Sequence, residues 1–132
     1  MISTHWLNQA LDTILSSGSL YAGLSSTEAG ADGTGYSEPA DGNYTRVKIA
    51  GFTKAENGVA YNAYATTFPV STSDWFTEEN MAAYWLLFDG DAQDSNLLAC
   101  GGLDTAKAIP SGVAATIPMH AMVVTLTDLG DG

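Results

Sequence analysis

The sequence predicts an all-β fold, an antiparallel β-sandwich of about seven to nine short strands with one N-terminal α-helix. Two patterns carry that expectation. Apolar residues recur at helical spacing only at the start of the chain, and beyond residue 18 short β-prone runs are separated by Gly, Asn, Asp and Pro. At 132 residues the chain has the size of one domain, residues 1–132, and buries roughly two-thirds of the surface its unfolded form exposes.

The helix is expected within residues 1–18. Trp6, Leu7, Ala10, Leu11, Ile14 and Leu15 form an apolar face, and Asn8, Gln9, Asp12 and Thr13 fall on the other side. Ser3 or Thr4 suits its N-terminal cap and Gly18 its end. Residues 20–24 read as the first strand. Residues 25–43 contain Gly30, Gly33, Gly35 and Gly42 with several acids, which predicts a long acidic loop turned toward solvent or a partner.

Residues 44–49 alternate, placing Thr45, Val47 and Ile49 on one face and Arg46 and Lys48 on the other. Asn57-Gly58 then marks a hairpin, because both residues tolerate the positive φ of a tight turn. Residues 66–70 suit an edge strand containing Pro69. Residues 82–88, Ala-Ala-Tyr-Trp-Leu-Leu-Phe, are apolar on both faces and predict a central, covered strand. A turn over residues 89–96 leads to a strand at 97–100. The last strands are expected at 113–117 and 121–126, with Pro118 as a break between them.

Four basic residues against 15 acidic ones give a formal charge of -11. That balance argues against nucleic acid, whose phosphates require clustered Lys and Arg, and against anionic membranes. No apolar run is long enough to span a bilayer and the N-terminus lacks the pattern of a signal peptide, so a soluble protein made in the cytoplasm is expected. Cys100 is the single cysteine and reads as a small buried hydrophobe.

No catalytic constellation is evident. His5 and His120 are the two histidines, and each stands apart from a second ligand, which suits structural roles. Asp74, Glu78 and Glu79 could be drawn as paired carboxylates of a glycosidase, but Asp74 precedes Trp75 and Phe76 as the cap of a short helical turn would. Asp89, Asp91 and Asp94 gather oxygen ligands in one turn, a candidate for calcium. The EF-hand pattern is not met, and a solvated acidic turn is the preferred reading, with a weak calcium site as the alternative. Tyr21, Tyr61, Tyr64, Trp75, Phe76, Tyr84, Trp85 and Phe88 suit a core better than a sugar-stacking platform. No metal site and no cofactor are therefore assigned.

Several short motifs follow one another in a characteristic order: Tyr44-Thr45-Arg46, Asn57-Gly58-Val59, Thr67-Phe68-Pro69, Asp74-Trp75, Leu87-Phe88-Asp89, Asn96-Leu97-Leu98-Ala99 and Val123-Val124-Thr125-Leu126. In this order the chain resembles the small bacteriophage virion structural proteins known as tail-fibre-like proteins. The likeness covers almost the whole chain except the helix and residues 25–43. It implies a non-enzymatic component of the virion, either of the tail-fibre type or a capsid decoration (cement) protein. Its partners would be other virion proteins and copies of itself.

Within that reading the helix either covers one end of the sandwich or projects Trp6 and Leu7 onto a neighbour. Trp6, Leu7 and Leu11 on the helix, with Arg46 and Lys48 as the accessible cations, are the expected partner-binding residues. The alternative is a carbohydrate- or receptor-binding module that contacts the host surface.

Overall fold

The computed structural model describes residues 1–16 and 18–126; position 17 of the expected helix region and the end of the expected domain, 127–132, lie outside them. Among the described residues one helix, α1 (Thr4–Leu15), precedes eight strands: β1 (Tyr21–Ser25), β2 (Val47–Lys48), β3 (Val59–Tyr61), β4 (Thr66–Thr67), β5 (Ala82–Phe88), β6 (Leu97–Lys107), β7 (Thr116–Ile117) and β8 (Val123–Thr125). All pairings are antiparallel. The mostly β fold with a leading helix is therefore as the sequence predicts.

The strands form one four-stranded sheet in the order β2-β1-β5-β6 and two two-stranded ribbons, β3-β8 and β4-β7. The ribbons join the middle of the chain to its tail, so both tail strands find partners distant in sequence. Ala22 and Leu24 of β1 stand opposite Leu87 and Trp85 of β5. This face of the sheet merges with Leu11 and Leu15 of α1 and with Ala60, Phe68, Ile117 and Met122 from the ribbon side in one buried cluster. The apolar run 82–88 is central, as expected, with Leu86, Leu87 and Phe88 fully buried.

The Asn57-Gly58 turn takes its predicted form. Both residues have positive φ, and Glu56 and Val59 exchange backbone hydrogen bonds of 2.9 and 3.0 Å across it. On the ribbon side, Asn62 is fully buried. Its amide donates to the carbonyls of Tyr64 and Pro118 and its oxygen accepts from Met122 N, so one side chain ties β3 to the approach of β8.

Three expectations need correction. The predicted strand over residues 44–49 is ordered as β only at Val47–Lys48, because the side chains of Tyr44 and Arg46 are drawn inward. Residues 25–43 are not simply turned outward: the loop folds back over the second face of the sheet, and its Tyr36 ring packs edge-on against Phe88 at 5.5 Å. Finally, β6 runs through Gly101 and Gly102 to Lys107 instead of stopping near Cys100. Gly101 is required there because a Cβ would lie 2.5 Å from the indole of Trp85, a close approach that glycine permits inside a strand.

Candidate partner-binding surface

Helix α1 begins where Ser3 caps it: the Ser3 hydroxyl accepts from Trp6 N at 3.2 Å. Leu11 and Leu15 are buried against the domain. The two polar residues expected on the solvent side act otherwise. Asn8 Oδ1 accepts from Gly58 N and Asp12 Oδ1 from Ala55 N, each at 2.7 Å. These bonds satisfy hairpin amides and fix the helix in rotation and height. Trp6 is consequently held outward, 63% exposed, with Ile14 at 48% two turns further along. Trp6, Ala10 and Ile14 are spaced by four residues, so they share one stripe flanking the buried face.

Of the expected partner-binding residues, Trp6 and Lys48 are exposed, Leu7 is half-buried and Leu11 and Arg46 are buried. Leu11 supports the helix from beneath. Arg46 is an internal residue: its guanidinium forks onto Glu38, with Nη2 2.7 Å from Oε1 and Nε 3.2 Å from Oε2, and Nη1 donates to the carbonyl of Ala92 at 2.6 Å. The same group lies 3.4 Å above the ring centroid of Phe88. A paired, stacked guanidinium can be buried where a lone cation cannot. Period-two alternation assigned Arg46 to the outside because it contained no information about Glu38, eight residues earlier.

The Tyr44 hydroxyl completes this cluster, donating to Glu38 Oε2 and accepting from Leu24 N at 3.1 Å. Burial, reinforced by the Glu38 charge, pushes the Tyr44 pKa far above the ordinary phenol range. Burial works against the Arg46 charge, but the bonds and charge of Glu38 outweigh it and raise that pKa. Gly23 makes the space, since a Cβ there would meet Glu38 and Tyr44 within 3 Å. No buried side-chain polar atom is left unsatisfied among the described residues, and the cluster reads as a structural lock for the loop.

The remaining candidates do not assemble. Asp89 commits its carboxylate to Asn96, accepting from the backbone and side-chain amides at 2.7 and 2.9 Å. Those two bonds hold its pKa below the usual carboxylate value. Asp91 and Asp94 are exposed, and among the described residues no group of three or more His, Cys, Asp or Glu side chains is placed to hold a metal. Asp74 does not cap a helical turn: its Oδ1 accepts from Ser111 N at 2.9 Å across the domain, and Glu78 and Glu79 are exposed. Cys100 is half-buried, not buried.

Trp75, Phe76, Trp85 and Phe88 are core residues and Tyr21 and Tyr84 are half-buried, whereas Tyr61 and Tyr64 are exposed. The Tyr61 ring stacks at a tilt on His120, 5.5 Å away, and His120 itself adopts a positive φ of 67°. Sequence reasoning had no signal for this pairing, since the two residues meet only through the β3-β8 ribbon. Among the described residues, no helix is long and apolar enough to cross a membrane.

The family model for podophage GP4 fiber I protein gp80 matches residues 1–125. The chain belongs to that family. It is thus a phage tail-fibre-like protein with a structural role in the virion, and it associates there with other virion proteins. A search of curated proteins finds no match. The model match reaches through α1 and residues 25–43, the two regions in which the short motifs were silent. The Arg46 lock and the presented Trp6 stripe are therefore both within the part of the chain shared with the gp80 family.

Proposed function

We propose that this fibre-family chain is a non-enzymatic assembly module that binds a neighbouring virion protein through the outer stripe of α1, with Trp6 as its anchor. The observation that carries the reading is the exposure of Trp6 on a helix whose orientation is fixed by two hydrogen bonds to the 55–58 hairpin. A large aromatic held in place loses little freedom on docking and gives much buried area in return. Leu7 extends the contact from the edge of the core, and Lys48 offers an exposed cation in a strongly acidic chain. The reading involves no cofactor, nucleic acid or membrane. A capsid decoration protein could use the same surface; the family description supports the fibre address.

The test is incorporation into particles. Phage carrying Trp6→Ala should assemble with the chain reduced or missing from purified virions while the isolated protein keeps its melting temperature. Normal incorporation of the variant would rule out this helix as the anchor.

A second reading, contact with a host glycan, is favoured by the exposed Tyr61, packed on His120, and the exposed Tyr64, because flat rings suit sugar faces. Glycan-array binding that disappears in Tyr61→Ala would support it, and an array without signal would remove it.

A further inference from the structure

We infer that Asn57 is a self-modification site, which loses its side-chain amide by deamidation at a rate set by the seating of α1 on the hairpin through Asn8. Of the six asparagines only Asn57 precedes glycine. A following residue without a Cβ leaves the path from its backbone nitrogen to the side-chain carbonyl open. Asn57 is exposed, so water and base reach its amide.

The reaction needs only a base and water. Gly58 N gives its proton to the base and bonds to Asn57 Cγ. The Cγ–Nδ2 bond breaks, and the departing NH2 group takes a proton back from solvent and leaves as ammonia. Water then opens the five-membered imide at either carbonyl, giving aspartate or an isoaspartate whose backbone runs through the former side chain. No oxidant or reductant is involved.

In the folded chain the attacking nitrogen is withheld. Asn57 and Gly58 have φ of 54° and 74°, and Gly58 is held on both sides. Its N–H donates to Asn8 Oδ1 at 2.7 Å, and its carbonyl accepts from Leu126 N at 2.8 Å. A Cβ at Gly58 would lie 2.5 Å from the Leu126 carbonyl oxygen and 3.9 Å from Leu7, so the residue has little room to swing. Rotating Gly58 N toward Asn57 Cγ turns its N–H away from Asn8, and α1 must first release it. Local opening of this kind requires less free energy than unfolding the domain. The rate of ammonia loss therefore follows the seating of the helix and not the stability of the core.

The products act back on the helix. The imide has no N–H at Gly58, so Asn8 loses its donor while it lasts. Isoaspartate then adds a backbone atom to a tight two-residue turn, whose length fixes the register of what it joins. Both final products add a carboxylate to a chain already at -11. Modification thus converts a reversible loosening of α1 into a lasting one.

The experiment follows the full chain in mildly alkaline buffer by intact-mass and peptide mass spectrometry, measuring ammonia loss and conversion at residue 57. Folded protein should convert about a hundredfold more slowly than the same chain in urea, because the bonds on both sides of Gly58 must break. Asn8→Ala should speed conversion in the folded state about fivefold to tenfold, the equivalent of one hydrogen bond. Asn8→Asp, which keeps an acceptor for Gly58 N, should stay near the unmodified rate. Gly101→Ala weakens the core with both helix bonds in place, and it too should stay near the unmodified rate. Fully converted protein should exchange the amide hydrogens of α1 faster than fresh protein. Equal rates in buffer and urea, an Asn8→Ala rate no faster than the unmodified one, acceleration by Gly101→Ala to match Asn8→Ala, or unchanged exchange in α1 after conversion would each overturn the proposal. None of these variants alters Trp6, so the outcome is independent of whether that residue anchors the chain in the particle.

Discussion

Arg46 lies 3.4 Å over the ring of Phe88, so the last residue of the central strand β5 is sealed by a charged side chain that enters just before the edge strand β2, on the far side of β1. The stack works because Glu38 neutralises the guanidinium from the loop side, and the three residues together attach residues 25–43 to the second face of the sheet. Replacing Arg46 with Met leaves the Glu38 carboxylate buried without its partner. Such a loss costs about 3–5 kcal/mol, and Arg46→Lys recovers only part of it because an ammonium cannot fork or stack in the same way. Urea denaturation should show the midpoint falling in the order Arg46, Lys, Met, and equal midpoints for the two variants would contradict the stacked geometry.

Tyr44 links the same cluster to alkaline stability. Its folded pKa is raised above the ordinary value of 10.0. The stabilisation from keeping this phenol protonated is therefore complete below about pH 10 and is lost as pH rises toward the folded pKa. Each pH unit in that window removes up to ~1.4 kcal/mol for this one proton. Tyr44→Phe should lower stability by roughly 1–3 kcal/mol at neutral pH, through the unpaired Leu24 amide and Glu38, and should flatten the decline between pH 10 and 12. Melting curves across that range would show it; an unchanged slope would mean that another group controls the alkaline limit.

Gly101 is a position where a single methyl group tests the packing of the sheet. Its Cβ would sit 2.5 to 2.7 Å from three atoms of the Trp85 indole, and Trp85 is buried in the main core. Gly101→Ala should therefore destabilise by about 1–3 kcal/mol, the usual cost of overpacking. Gly102→Ala, with open space around it, should change little. A reversed order in the two melting temperatures would place the Trp85 ring elsewhere.

The parts of the fold that local sequence encodes were legible from it. The helix from Ser3, the Asn57-Gly58 turn and the buried run 82–88 each follow from spacing or from a demanding φ, and all three stand where expected. What escaped depends on contacts remote in sequence. Arg46 turned inward because of Glu38 and Phe88; β6 continued through two glycines because Trp85 occupies the space above one of them; Asn8 and Asp12 faced the hairpin because its amides lacked partners. The candidate site shows the same division: Trp6 was visible as part of an apolar face, but only the hydrogen bonds from Gly58 and Ala55 determine that it points away from the core.

Trp6 and Leu11 separate assembly from stability on a single helix. Leu11 is 2% exposed in the main cluster, and truncating a buried leucine costs about 2–5 kcal/mol because the cavity collapses only in part. Trp6 gives most of its surface to solvent, so Trp6→Ala should change stability by no more than about 0.5 kcal/mol. The two variants should therefore diverge in opposite ways: Leu11→Ala melts early but, where folded, still presents Trp6, whereas Trp6→Ala melts normally and fails to join the particle. Asn8→Ala is the intermediate case, since it frees the Gly58 amide and loosens the helix that orients Trp6; it should lose about 1 kcal/mol and reduce incorporation without abolishing it. Melting temperature and the amount of chain per purified virion, measured on all three variants, check this. If loss of incorporation simply followed loss of stability, the exposed tryptophan would have no role beyond the fold.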